Sequence, residues 1–156
     1  MSNLRQKWTF RAHGQQVVFV KNPIERPEHV FMKAFIWALY LPQYPESRVE
    51  INIGDRFKPD VVQMEHDKPV FWGEAGVVSR QKIRKLVRKF KGTHFAMGKW
   101  EKNLKPFEEL VRRELRGVKR SAPVDLICFG EDSAERFIRP SGDIEINFDD
   151  VEWLTL

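Results

Sequence analysis

The chain has 156 residues, of which 42% are hydrophobic and 31% charged, with 12 Phe, 5 Trp and 2 Tyr. That is enough large apolar area for one self-standing core, so a single domain over residues 1–156 is expected, and a disordered chain or a membrane span is excluded. The net charge is +5, but residues 80–120 hold 15 Lys/Arg against 4 Asp/Glu, and residues 121–156 hold 2 against 9.

The polar start, Met1 to Lys7, is followed by no apolar run, so no signal peptide is expected. The one cysteine, Cys128, has no partner within the chain, and a cytoplasmic location is the expectation. The basic block at 80–120 suits a polyanion such as nucleic acid, DNA or RNA. It equally suits two helices with solvated basic faces.

Residues 7–11 and 16–21 read as an N-terminal β-hairpin (7–21) turning at His13-Gly14. Residues 28–41 read as a helix opened by Pro27 and closed by Pro42. It is apolar nearly all round and so belongs in the core. Three strands follow, at 49–53, 59–65 and 69–75, the last two joined by a turn around Asp67. Residues 79–91 form an amphipathic helix with Ile83, Leu86, Val87 and Phe90 on one face and basic residues on the other. A short strand (93–97), a second amphipathic helix (106–116) and an apolar strand (124–129) complete a core spanning 28–129. Residues 130–156 read as an acidic tail with a hairpin turning at 140–143. The fold class expected is therefore α/β with mixed α+β character. It has a central mixed sheet flanked by helices, and residues 69–97 could form a parallel crossover.

Two carboxylates stand out. If the turn is centred on Asp67, Asp60 lies opposite Glu74, and opposed side chains share a face about 5 Å apart. Two acids that close repel unless a cation or proton lies between them. A hard divalent cation, Mg²⁺ or Mn²⁺, would fit. The alternative is that each acid pairs with a nearby base, for instance Lys58 or Arg80. Glu50 joins them as a metal candidate if residues 54–56 make a three-residue turn, and Glu28 is a further candidate at a helix start. On the basic helix, Lys82 and Arg80 flank the apolar seam and can reach back towards the sheet. Arg84, Lys85, Arg88 and Lys89 point outward. With Lys58 and Arg80 they form the candidate nucleic-acid contacts. Of the tryptophans, Trp37 and Trp72 fall in core segments, leaving Trp8, Trp100 and Trp153 as the plausible exposed ones.

Lys58-Pro59-Asp60, then 13 residues, then Glu74-Ala75-Gly76, resembles the motif of PD-(D/E)XK nucleases. The stretch from Phe71 to Val77, the following Arg80-Gln81-Lys82-Ile83, the helix ending Ile36-Trp37-Ala38-Leu39 and the N-terminal hairpin are similar to its YaeQ-like branch. The resemblance implies a restriction-endonuclease-like core and metal-dependent cleavage of phosphodiester bonds, with Asp60 and Glu74 as metal ligands and Glu50 or Glu28 completing the site. The motif's lysine position is Gly76, which has no side chain. In this superfamily a residue on the following helix sometimes carries that task, and Lys82 is the best match. Three functions compete: a metal-dependent nuclease with Asp60, Glu74 and Lys82 as its catalytic residues, a nucleic-acid-binding protein that does not cut, and a nuclease-like fold kept for protein interaction.

Overall fold

A computed structural model describes residues 5–76 and 79–156. Val77 and the polar start through Leu4 lie outside these residues. Strands β1 (Gln6–Ala12) and β2 (Gln15–Lys21) pair as an antiparallel hairpin. Helix α1 (Pro27–Tyr40) follows. The main sheet then has six strands in chain order: β3 (Arg48–Val49), β4 (Val61–Glu65), β5 (Lys68–Ala75), β6 (His94–Lys99), β7 (Val124–Cys128) and β8 (Glu152–Thr155). Helix α2 (Arg80–Lys89) connects β5 to β6 and α3 (Lys105–Leu115) connects β6 to β7, and both strand pairs are parallel. The other pairs are antiparallel. Among the described residues no helix is long and apolar enough to cross a membrane.

The alternation along β5 explains the layers. Phe71, Gly73 and Ala75 face α1, while Trp72 and Glu74 face α2. Phe71 and Ala75 pack with Phe35, Trp37, Phe129 and the hairpin's Phe10 and Phe19. Trp72 packs with Ile83, Leu86, Phe95, Phe107 and Val111 from α2, β6 and α3. Gly73 lets α1 lie directly on the sheet: a Cβ there would fall 2.7 Å from Ile36 Cγ2. Helix α2 is capped by Ser79, whose Oγ accepts from the Lys82 N–H at 3.1 Å. At its other end Arg120 donates to the Val87 and Phe90 carbonyls at 2.8 Å, tying the last turn to the β7 side of the fold.

Two expectations need correction. The strand expected at 49–53 stops after Val49, because Glu50 adopts a left-handed φ of 53° and turns the chain out of the sheet. The acidic tail is more than a hairpin. A short helix α4 (Ser133–Phe137) and a single Ile138–Ile144 bridge precede a 3-10 turn, and β8 then joins the main sheet as its edge. Strand β8 reads Glu-Trp-Leu-Thr, which does not alternate polar with apolar residues and spans only four positions, so no strand period is legible there.

Candidate active site

The site lies where β5 ends. The β4–β5 hairpin turns through His66 and Asp67, both left-handed (φ 50° and 63°), the geometry of a two-residue turn that matches strand twist. Such a turn alone would pair Glu65 with Lys68 and leave Asp60 one residue out of step with Glu74. A bulge between Gln63 and Met64 shifts the register, so Val61 pairs with Gly73, and the Asp60 N–H donates to the Gly73 carbonyl at 3.2 Å. Asp60 and Glu74 thereby come to the same end of adjacent antiparallel strands.

Each carboxyl is held differently. Asp60 Oδ2 accepts from the Ala75 N–H at 2.9 Å, and among the described residues Oδ1 accepts no hydrogen bond. Glu74 is buried; Oε1 accepts from Trp72 Nε1 at 2.8 Å and Oε2 from Lys82 Nζ at 3.0 Å. Burial raises the Asp60 pKa above the ordinary carboxylate value, against the pull of the Ala75 N–H, Lys33, His29 and Lys82. Burial also raises Glu74, and the Asp60 charge raises it further, with Lys82 and the Trp72 N–H working the other way. The two acids therefore share one electrostatic site in which full ionisation of both is costly.

Lys33 sits in the middle of this cluster. It is 4% exposed, and its ammonium donates to Glu25 Oε2 at 2.7 Å and to Glu50 Oε2 at 3.4 Å. Burial would lower its pKa, but the bond to Glu25 and the charges of Asp60, Glu50 and Glu25 outweigh it and raise the value. Glu25 shows the mirror effect: burial would raise it, and Lys33 and His29 bring it below its ordinary value. The His29 ring bridges Glu25 Oε2 (2.5 Å from Nδ1) and the Ala75 carbonyl (3.0 Å from Nε2). Glu50 does stand opposite Asp60 along the chain, its N–H donating to the Asp60 carbonyl at 3.0 Å. Its carboxylate, turned by the positive φ, goes instead to the Val20 N–H and Lys33. Glu28 is half-buried and lines a neighbouring groove with Glu25, His29, Gly76 and Trp100; neither Asp60 nor Glu74 is among that groove's described lining residues.

The basic residues separate into two groups. Lys82 reaches back to Glu74. Arg80 turns to Glu114 on α3 at 2.5 Å, and Lys89 pairs with Asp55. Lys58, Arg84, Lys85 and Arg88 are exposed. Arg84, Lys85, Arg88 and Lys89 line a groove of about 730 Å³ between α2 and the loop carrying Arg56 and Phe57. Of the tryptophans, Trp37 and Trp72 are buried, Trp8 and Trp100 half-buried and Trp153 exposed.

Gly76 has φ 91°, and a Cβ there would lie 3.2 Å from His29 Cδ2. A lysine at this motif position would thus be strained and would crowd the His29 ring. Sequence reasoning missed Lys33, Glu25 and His29. The available signal was Lys33 itself, the one lysine or arginine of α1 and flanked by apolar residues on both sides, which demands buried acidic partners. Among the described residues no three His, Cys, Asp or Glu side chains are arranged to hold a metal ion together. A hard cation here would rely on Asp60 and Glu74 with waters completing its shell.

No family model matches the chain, and no curated protein does. Among solved structures, the YaeQ protein from Pseudomonas syringae superposes with a TM-score of 0.62 over 86% of this chain and 76% of its own, at 14% identity. The YaeQ protein from Xanthomonas axonopodis pv. citri gives 0.52 over 79% and 71%, at 12% identity. The fold is YaeQ-like. At these identities the likeness carries the fold alone. Within this YaeQ-like fold, the end of β5 brings acids from β5 and from the entry to β4 together with lysines from α1 and α2.

Proposed function

We propose that the protein is a metal-dependent nuclease of the PD-(D/E)XK type, with Mg²⁺ or Mn²⁺ held by Asp60 and Glu74. The observation that supports this is that Asp60 and Glu74 stand at the same end of adjacent antiparallel strands, where the Asp60 charge disfavours ionisation of Glu74, and that among the described residues Asp60 Oδ1 accepts no hydrogen bond. A divalent ion would relieve that repulsion and, when bound, would polarise a phosphoryl oxygen and acidify a water. Trp72 Nε1 fixes the orientation of the Glu74 carboxylate. The Lys82 ammonium, already at Glu74, supplies positive charge against the charge that grows on a phosphate under attack. The exposed basic face of α2 gives the phosphate backbone its non-specific hold.

A second reading is favoured by one observation. Lys33 and Lys82 already answer the charges of Glu50 and Glu74 from within the chain. In that reading the protein binds nucleic acid and does not cut. A cleavage assay with Mn²⁺ on single- and double-stranded DNA and RNA separates the two. The nuclease reading expects cutting by wild type and loss of cutting in both Asp60→Ala and Lys82→Ala. A wild type that cuts nothing across that panel overturns it.

A further inference from the structure

We infer that the groove between α2 and residues 53–58 takes unpaired nucleotides, with a base against Phe57 and the phosphates on the cations of α2; the inference rests on the nucleic-acid reading above. The groove holds about 730 Å³, the size of a small-molecule cleft. Its floor is apolar and aromatic. Phe57 is half-buried, and Phe90 is backed by Trp72 at 5.2 Å between ring centroids. Its rim is cationic, with Arg56, Arg84 and Arg88 exposed to solvent. Among the described residues that line the groove Asp55 alone is acidic, and its charge is already taken by Lys89. The groove therefore pairs an aromatic surface with a polyanion's counter-charge.

This combination discriminates between nucleic-acid forms. In a duplex the base faces are covered by their neighbours, and only edges, sugars and phosphates meet a protein. A basic rim alone would serve a duplex, and an aromatic floor adds nothing to it. An unstacked base has a free face, and stacking on an aromatic ring is the sequence-tolerant way to hold it. Phe57 is also tied to the candidate active site. The Lys82 ammonium lies 5.4 Å from the Phe57 centroid and 3.0 Å from Glu74 Oε2. The Arg56 guanidinium lies 5.4 Å from the same ring and, being exposed, is free to trade the ring for a phosphate. A nucleotide on Phe57 thus presents its neighbouring phosphate towards Asp60 and Glu74.

The test is fluorescence anisotropy in EDTA, so that it is independent of metal, with fluorescein-labelled oligothymidylate and a blunt-ended DNA duplex of the same length. Phe57→Leu keeps the apolar volume and removes the aromatic face, and its melting temperature confirms folding. The inference expects wild type to bind oligothymidylate more tightly than the duplex. It expects Phe57→Leu to weaken oligothymidylate binding by about tenfold and leave duplex binding unchanged. Inorganic polyphosphate should compete equally against both proteins, because it engages only the rim. Equal oligothymidylate affinity in wild type and Phe57→Leu, or preference for the duplex, overturns the inference and leaves the nucleic-acid reading standing. Binding of neither probe by wild type overturns both.

Discussion

A Cβ placed on Gly76 would lie 3.2 Å from Cδ2 of His29, and the Gly76 backbone is left-handed with φ 91°. The glycine at the motif's lysine position is therefore required by the local structure. Restoring the motif is expected to do harm. Gly76→Ala should destabilise the fold by about 1–2 kcal/mol, the cost of a side chain in the left-handed region, before any crowding of His29 is counted. Gly76→Lys should be at least as unstable. Urea melts of the two variants check this, and a stabilised Gly76→Lys protein would refute it.

The Asp60–Glu74 pair makes a prediction about pH. Both pKa values are raised in the folded state, so the native protein binds more protons here than the unfolded chain. The stability present when both acids are protonated is lost as pH rises from the ordinary carboxylate range through the raised values. Asp60→Asn keeps an acceptor for the Ala75 N–H and removes the repulsion. Its melting temperature should exceed that of wild type by about 2–4 °C near pH 8, where 1 kcal/mol corresponds to such a shift, and the gain should vanish near pH 4. A gain that persists at low pH would point to packing instead of charge.

Lys33 bridges Glu25 and Glu50 while almost fully buried. Removing one member of such a cluster strands the others. Lys33→Met should cost about 3–5 kcal/mol in a denaturant melt. Adding Glu25→Gln to that variant should restore part of the loss, because the carboxylate left without its cation is then neutral. A Lys33→Met protein as stable as wild type would mean the buried charges are already matched elsewhere.

Much of this arrangement was legible in the sequence. The apolar stripe of α2, the proline-opened α1 and the β4–β5 hairpin are written in short-range patterns. The opposition of Asp60 and Glu74 was expected from a turn centred on Asp67; the turn lies at His66-Asp67 instead, and the opposition comes from a bulge between Gln63 and Met64 that no local signal announces. What was not legible is long-range. The Glu25–His29–Lys33 network joins one helix and its preceding loop to the end of β5, and Glu50's carboxylate is redirected by a single left-handed residue. The end of the chain was under-read for a related reason: β8 owes its place to pairing with β7 and not to its own four-residue pattern.

The outward face of α2 carries the polyanion prediction. Replacing Arg84, Arg88 and Lys89 by Glu should weaken binding to all nucleic-acid sequences alike and flatten the dependence of log affinity on log salt, since fewer counterions are released. Anisotropy titrations across a salt series measure the slope. An unchanged affinity and slope would return this face to the role of a solvated helix surface.

The proposed joint binding of a hard divalent cation by Asp60 and Glu74 is tested most directly by isothermal titration of the folded protein with Mn²⁺, without reference to any substrate. Saturable binding by wild type is expected, with its loss in Asp60→Ala and in Glu74→Ala and its retention in Arg80→Ala, whose guanidinium is engaged with Glu114. No saturable binding by wild type, or binding undiminished by Asp60→Ala, would contradict it.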